Sequence, residues 1–166
     1  MEQALRLAEA AALAGEVPVG AVVVHRDEII GASGNASIRT FDPTGHAEVL
    51  ALRSAARRLR SHRLDGATLY VTLEPCLMCC GALLNARVAR LVFAAREPRT
   101  GAVVSAFETL MPAARRQHRV AITEGVLAEP CAALLADFFA ARRDEPTGNR
   151  VSREAPGTGR RPAGRP

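Results

Sequence analysis

Residues 67–79 read ATLYVTLEPCLMC, and this stretch decides the fold. Its first part, residues 67–72, is rich in β-branched and aromatic side chains and predicts a strand. Pro75 then favours the first position of a helix, where its missing N–H costs nothing. Cys76 and Cys79 are expected one turn apart on the same face of that helix, near the positive end of its dipole. The stretch therefore predicts a strand that delivers two thiol groups to the beginning of a helix.

The rest of the chain alternates between helix and strand patterns. Hydrophobic periodicity and capping signals predict helices over 2–14, from a segment that carries His46 to about residue 59, after Pro75, near 105–110 and over about 131–141. Short β-branched runs predict strands near 19–24, 29–33, 67–72, 90–95 and 120–123. This alternation predicts an α/β protein built as a three-layer α/β/α sandwich.

Composition limits the class of protein. A chain of 166 residues, 48% of them apolar, is long enough for one domain with a proper core. It has no run of about 18 apolar residues, and its N-terminus lacks the layout of a secretory signal. Four cysteines with a metal-type pair, in a chain without such segments, predict a soluble enzyme of the reducing cytoplasm with no membrane association.

The net charge of +5 is less informative than it looks. All 22 basic residues are arginine, and seven of them lie in residues 142–166 against three acidic residues, so the charge belongs mostly to this end of the chain. Charge alone therefore does not identify a nucleic-acid partner. Because residues 144–166 are rich in Pro, Gly and Arg and hold no aromatic residue, we expect a folded domain over 1–143 and a disordered tail over 144–166.

His46, Cys76 and Cys79 form a set of metal ligands. One imidazole and two thiolates suit Zn²⁺ and leave a fourth tetrahedral position for water, which distinguishes a catalytic zinc from a structural one. The field at the beginning of a helix favours the thiolate, the form of cysteine that binds a metal. The sequence therefore predicts one catalytic zinc ion.

Glu48 lies two residues beyond His46, so on a helix it points away from the ligand and is expected to carry protons. In this role it takes a proton from the attacking water and delivers it to a ring nitrogen and then to the departing amine. The metal assists because it lowers the pKa of water toward about 7. The combined pattern, H-x-E followed by P-C-x-x-C, is typical of the zinc-dependent nucleobase deaminases.

Two other interpretations of the cysteine pair stay open at this point, a redox pair or half of a structural zinc site. A structural site needs a fourth ligand, for which the candidates are Cys80, Cys131, His25, His62 and His118. Cys80 directly follows Cys79 and is expected to point around the helix, and the others stand at no recurrent ligand spacing. A catalytic zinc is therefore favoured, with Cys80 and Cys131 as small buried apolar residues.

Longer blocks of the sequence resemble the bacterial tRNA-specific adenosine deaminases, which convert the wobble adenosine of an anticodon to inosine. The resemblance runs through nearly everything up to residue 143, in blocks at 16–22, 42–48, 67–79, 100–101, 118–126 and 132–139. It implies a cytidine-deaminase-like fold with a five-stranded mixed sheet, and a homodimer that binds RNA across the dimer. It further implies a tRNA anticodon stem-loop, that of an arginine tRNA, as the substrate.

The resemblance also implies where the base is bound. Asn35 matches a residue that contacts the flipped base, and Val17 matches one that lines its pocket. Ala47 lies between the ligand and the proton carrier, where its backbone meets the base edge. These three residues are expected to bind the substrate.

Further substrate contacts are implied on a loop and on the last helix. Glu97 and Arg99 belong to a loop that contacts the nucleotides around the target base. Phe138 and Phe139 match a paired aromatic close to the RNA path, with simple core packing as the alternative. Glu97 and Arg99 stand where the family usually has Asp and Lys, which puts the sequence-context preference in question.

Two rival functions remain. One is a deaminase of free bases or nucleosides with the same metal site, and the other is a catalytically silent subunit that binds RNA or a second deaminase chain. The block at 138–143 and the loop around Glu97 resemble the tRNA enzymes and argue against the first rival. Glu48 argues against the second, because a silent subunit has no need of that carboxylate at its spacing.

Overall fold

Five strands form one mixed sheet in the computed structural model of the chain, which describes residues 1–110 and 118–144. In chain order they are β1 Gly20–His25, β2 Glu28–Gly34, β3 Thr68–Leu73, β4 Arg90–Ala95 and β5 Ala121–Glu124. The strand order in the sheet is β2-β1-β3-β4-β5, with β1 antiparallel to both of its neighbours and β3, β4 and β5 parallel. The predicted mixed sheet is confirmed.

Helices cover both faces of this sheet. They are α1 Glu2–Leu13, α2 Ser37–Thr40, α3 Ala47–Leu59, α4 Leu77–Ala86 and α5 Ala128–Asp144. On one face α3 packs on β1 and β2 and contacts α4, while α1 and α5 contact each other and cover the other face. The three-layer α/β/α architecture is confirmed. In the described part of the chain, no helix has both the length and the apolar character needed to span a membrane.

The helices approach the sheet closely through small residues. A Cβ atom built on Gly20 in β1 would lie 2.0 Å from the carbonyl oxygen of Ala4 in α1. On the opposite face, a Cβ atom on Gly31 in β2 would lie 2.3 Å from the carbonyl oxygen of Ala51 in α3. Helix and strand backbones are therefore in direct contact at these two points. The second contact fixes α3, the helix whose N-cap residue is His46.

This packing predicts the effect of one added methyl group. Gly31→Ala is expected to lower the free energy of unfolding by about 1–3 kcal/mol, because α3 must move away from β2 to admit the Cβ atom. Chemical denaturation measures the change. Gly81→Ala is the matched control, since a Cβ atom there meets nothing within 4 Å. Equal stability of the Gly31→Ala variant and the unmodified chain would contradict the account.

The helix predicted near 105–110 is wrong, because the segment forms turns and bends. Its backbone donors are used elsewhere. The N–H groups of Val103, Val104 and Ser105 bind the carboxylate of Glu74, and those of residues 106 and 107 both bind the carbonyl oxygen of Gly101. The N–H groups of residues 106, 107 and 109 thus bind carbonyl oxygens five to seven residues earlier in the chain, so the i→i−4 ladder of an α-helix does not form.

The beginning of the cysteine helix also differs from the prediction. Pro75 does not occupy its first position, because α4 begins at Leu77 with Cys76 as the N-cap residue. Pro75 and Cys76, the two residues before α4, both pair with the segment that contains Gly101 and Ala102. The carbonyl oxygen of Pro75 accepts the N–H of Ala102 at 2.8 Å, and Cys76 forms an isolated antiparallel bridge with Gly101.

The last helix is longer than predicted and spans Ala128–Asp144. Pro130 lies in its first turn, a position that needs no N–H donor, so it does not delay the beginning of the helix. The predicted disordered tail, beyond Asp144, lies outside the described residues.

Candidate active site

Three side chains separated by up to 33 residues in sequence meet at one point. His46 is the N-cap residue of α3, Cys76 is the N-cap residue of α4, and Cys79 lies in the first turn of α4. The Nδ1 atom of His46 lies 3.7 Å from Sγ of Cys76 and 3.6 Å from Sγ of Cys79, and the two sulfur atoms are 3.6 Å apart. The beginnings of two packed helices thus bring these atoms into a nearly equilateral triangle.

The triangle matches the size of a tetrahedral zinc site. Zinc bonds of about 2.3 Å to sulfur and about 2.0 Å to nitrogen place two sulfur atoms about 3.8 Å apart and sulfur and nitrogen about 3.5 Å apart. The observed separations depart from these values by about 0.2 Å or less. Within residues 1–110 and 118–144, the group of side chains close enough to hold a metal ion consists of these three alone. One coordination position would therefore stay open, as in catalytic zinc sites.

The three groups also set one another's protonation. Hydrogen bonding to Cys79, reinforced by that to His46, lowers the pKa of the Cys76 thiol to about 3. The hydrogen bond with Cys76, together with burial, raises the pKa of Cys79. The contact with Cys76 also raises the pKa of His46. The surroundings of Cys76 therefore favour its thiolate, the form in which cysteine binds metals.

All five other candidates for a fourth ligand lie outside this group, and three of them have clear surroundings of their own. Sγ of Cys80 contacts the carbonyl oxygen of Ala102 at 3.6 Å. Nε2 of His118 lies 2.7 Å from the carbonyl oxygen of Val88. Cys131 is buried in a separate apolar cluster. None of these three residues belongs to the triangle, and two of its corners, His46 and Cys76, line the cavity described below.

Glu48 stands beside the triangle and is not part of it. The residue lies in the first turn of α3, is 4% exposed and lines the same cavity as His46. Burial raises the pKa of its carboxyl group. Ala47, between them, is fully buried. The carboxyl group of Glu48 is thus placed to exchange a proton with a molecule in the cavity.

A cavity of about 170 Å³ opens beside the triangle. Polar and apolar side chains line it together: Val17, Val19, Asn35, His46, Glu48, Leu73, Glu74, Cys76, Glu97 and Thr100. Three of the residues that the family resemblance assigns to the substrate, Val17, Asn35 and Glu97, therefore lie around one small space together with His46 and Glu48.

Buried carboxylates hold two walls of this cavity. Glu16 is 1% exposed, and its Oε1 accepts the N–H of Arg39 at 2.7 Å. Its Oε2 accepts the N–H of Ile38 at 3.1 Å and the side-chain amide of Asn35 at 3.4 Å. Glu16 therefore binds the backbone of α2 and orients Asn35 toward the cavity wall.

Glu74 holds the opposite wall and is 3% exposed. Its Oε1 accepts the N–H groups of Val103, Val104 and Ser105 at 3.0, 2.8 and 3.0 Å. Its Oε2 accepts the N–H of Glu97 at 3.0 Å and the hydroxyl group of Ser105. Burial opposes ionisation, but these hydrogen bonds outweigh it and hold the pKa of Glu74 below its usual value.

Sequence reasoning did not single out Glu16 or Glu74. The available signal was a charged residue next to an apolar run, since Glu74 directly follows the strand that ends at Leu73. A buried carboxylate needs donors, and here the donors come from remote segments of the chain. The local pattern therefore could not distinguish these residues from solvated ones.

The remaining predicted substrate residues lie outside the lining of the cavity. Arg99 and Phe139 line a neighbouring groove of about 330 Å³ that shares Glu97 with the cavity. The ring of Phe138 makes an edge contact with Phe139, with 5.4 Å between centroids, and the guanidinium group of Arg142 lies 4.4 Å from its centroid. The loop and the last helix thus form a second surface next to the cavity mouth.

This fold and site define a deaminase. A family model described as MafB19-like deaminase matches residues 1–143. A solved structure of guanine deaminase from Nitrosomonas europaea superposes with a TM-score of 0.70 at 31% identity, over 84% of this chain and 82% of that chain.

Closer matches define the family within this class. The tRNA-specific adenosine deaminase of Haemophilus influenzae is 49% identical over 146 residues, which cover 87% of this chain and 84% of the relative. That of Bacillus subtilis is 41% identical over 139 residues, or 84% and 86% of the two chains. A solved structure from a study of A-to-I editing by tRNA:A34 deaminases has a TM-score of 0.78 at 40% identity and covers 81% of this chain and 97% of that one. The chain belongs to the family of tRNA-specific adenosine deaminases, and it is a hydrolytic deaminase.

Proposed function

We propose that this protein is a zinc-dependent enzyme that deaminates the wobble adenosine of a tRNA anticodon, in arginine tRNA, to inosine. One observation carries the proposal: a three-ligand triangle of zinc dimensions lies beside a buried glutamate, in a chain of the tRNA-specific adenosine deaminase family. The reaction consumes one water molecule and releases ammonia, so the exocyclic C–N bond of adenine is replaced by a C–O bond.

In the proposed mechanism, His46, Cys76 and Cys79 hold one zinc ion per subunit. When bound, zinc supplies Lewis-acid chemistry that lowers the pKa of water and makes hydroxide available near neutral pH. Glu48 accepts the proton of the attacking water and delivers it to the ring nitrogen next to the reacting carbon. It then takes the remaining proton of the added oxygen and delivers it to the amino nitrogen, so that a C=O bond forms, the C–N bond breaks and ammonia departs.

The cavity residues orient the base for this attack. Asn35, held by Glu16, hydrogen-bonds the base edge, and Val17 packs against its face. The backbone of Ala47 meets the base edge between the ligand and the proton carrier. Glu97 closes the opposite side of the cavity.

The groove beside the cavity receives the nucleotides that flank the target. Arg99 is exposed and can reach a phosphate, and Phe139 offers an exposed ring for stacking. Phe138 supports that ring by edge contact and completes the aromatic pair. A base must leave its stack to enter the cavity, and anticodon loops present bases that are already partly unstacked.

We further infer a homodimer that acts in the cytoplasm, with a catalytic domain over 1–143. The family resemblance supports the dimer. So do the exposed apolar side chains of Ile38, Phe41 and Leu77, which are 45%, 77% and 50% exposed near the beginnings of α3 and α4. The extent of the family match, residues 1–143, supports the domain boundary.

A second candidate function is the deamination of a free nucleobase. It is favoured by the likeness to the guanine deaminase structure, which shares the fold over 84% of this chain. Deamination of a tRNA adenosine is the better supported function, because the tRNA:A34 deaminase structure has the higher TM-score, 0.78 against 0.70, and the higher identity, 40% against 31%.

A substrate panel separates the two candidates. We expect the full-length protein to form inosine in an arginine-tRNA anticodon stem-loop with adenosine at the wobble position. Free adenosine, free cytidine and free guanine, assayed beside it at equal concentration, are expected to stay unchanged. Conversion of a free base or nucleoside with the stem-loop untouched would keep the deaminase chemistry and reject the tRNA substrate.

A further inference from the structure

We propose that Glu74 is a positioning residue that fixes the cavity wall formed by residues 97–105 and thereby sets the KM for the substrate. The substrate named in the test rests on the proposed function. The positioning role itself does not rest on the proposed function, because it concerns only how Glu74 holds the backbone of residues 97–105.

The contacts of Glu74 reach both ends of the wall. One carboxylate oxygen accepts the N–H of Glu97, at the beginning of the segment. The other accepts three successive N–H groups, from Val103 to Ser105, at its end. A single side chain thus joins the two ends of the nine-residue loop 97–105. Glu97 and Thr100, inside this loop, line the cavity.

The loop is shaped around the carboxylate. A Cβ atom built on Gly101 would lie 2.5 Å from Cδ and Oε2 of Glu74, so the backbone of the loop touches the carboxyl group directly. The N–H of Gly101 binds the carbonyl oxygen of Glu97 at 2.9 Å, which makes the turn tighter. The segment surrounds Glu74 in a way that a larger residue at position 101 would prevent.

Glu74, which holds both ends of this loop, lies on the segment that carries Cys76. Glu74 directly follows β3 and lies two residues before Cys76. The bridge between Cys76 and Gly101 joins the same two segments. None of the hydrogen bonds of Glu74 involves the side chains of the triangle. Loss of the anchor should therefore change the wall and leave the ligands in place.

A carboxylate suits this site because every partner is a donor. In the Glu74→Gln variant, the amide oxygen can keep the three N–H groups of residues 103–105, and the hydroxyl of Ser105 can turn to accept a hydrogen bond. The new NH₂ group then faces the N–H of Glu97, donor against donor. The substitution is nearly isosteric and selectively releases the end of the wall that carries Glu97.

The test combines hydrogen exchange with kinetics on the full-length, zinc-loaded Glu74→Gln protein. We expect faster amide exchange in the peptide covering residues 96–106 and unchanged exchange in α3. Zinc content should equal that of the unmodified protein. For the anticodon stem-loop, we expect KM to rise about tenfold with kcat within about threefold, because the wall positions the substrate rather than reacting with it.

Two controls separate positioning from general destabilisation. Glu28→Gln makes the same chemical change at an exposed residue paired with Arg58 and should alter nothing. Val23→Ala, in the fully buried middle of β1, lowers stability without touching the wall. It should leave both KM and exchange at 96–106 as in the unmodified chain.

The outcomes are distinguishable. Unchanged exchange at 96–106 in Glu74→Gln overturns the positioning role, whatever the substrate is. Faster exchange with an unchanged KM also overturns it, since the wall then has no part in binding. An unmodified protein that leaves the stem-loop unconverted contradicts the proposed function, and the exchange result still decides the role of Glu74.

Discussion

Glu48→Ala is expected to abolish deamination while zinc stays bound. Proton transfer by a positioned carboxylate contributes about 10²- to 10⁴-fold to catalysis, and here one group serves both the water and the leaving amine. We therefore expect kcat to fall by about 10³-fold or more. Zinc should be retained because Glu48 lies outside the ligand triangle.

The measurement pairs single-turnover inosine formation with the zinc content of the purified protein. Glu28→Ala is the matched control, since it removes an exposed glutamate at the beginning of β2, where it pairs with Arg58, and should change neither quantity. A Glu48→Ala protein that lost its zinc would show that this carboxylate is a ligand. A variant with ordinary turnover would remove Glu48 from the mechanism.

Cys79→Ala is expected to lose zinc and a large part of its thermal stability. Cys79 is fully buried, and its sulfur is one corner of the triangle. Loss of zinc should also lower the stability of the fold, because metal binding is coupled to folding where the ligands come from separate segments, here the beginnings of α3 and α4. The apparent melting temperature should fall, and added zinc should not restore it.

The neighbouring cysteine provides the control for this variant. Cys80 is also buried, at 1% exposure, but its sulfur faces the carbonyl oxygen of Ala102 and lies outside the triangle. Cys80→Ala should keep zinc at the level of the unmodified protein and lose only packing. Full zinc retention in Cys79→Ala, or zinc loss in Cys80→Ala, would refute the assignment of ligands.

The central part of the fold could be predicted because its signals are local. The strand over 67–72 and the two cysteines after it stand in one short stretch, so strand period and ligand spacing are readable without tertiary information. His46 and Glu48 likewise belong to one helix beginning. The relation between the two segments came from the motif pattern, and the structure brings His46 to within 3.7 Å of both sulfur atoms.

The walls of the cavity could not be predicted because their hydrogen bonds join remote segments. Glu74 binds N–H groups 23 to 31 residues away, and Glu16 binds groups 19 to 23 residues away. The helix predicted near 105–110 is wrong for a similar reason, because residues 106, 107 and 109 donate their N–H groups to the carbonyl oxygens of Gly101 and Ala102 and not to an α-helical ladder. The short helix α2, stabilised at its beginning by Glu16, was likewise absent from the prediction.

The most direct test of the proposed function is the identity of the nucleoside at the wobble position of an intact arginine tRNA after incubation with the full-length protein. We expect inosine at that single position with the zinc-loaded protein. We expect unchanged adenosine after zinc has been removed by chelation, and renewed conversion when zinc is restored. Adenosine that persists with the zinc-loaded protein, or conversion that continues without zinc, would contradict the account.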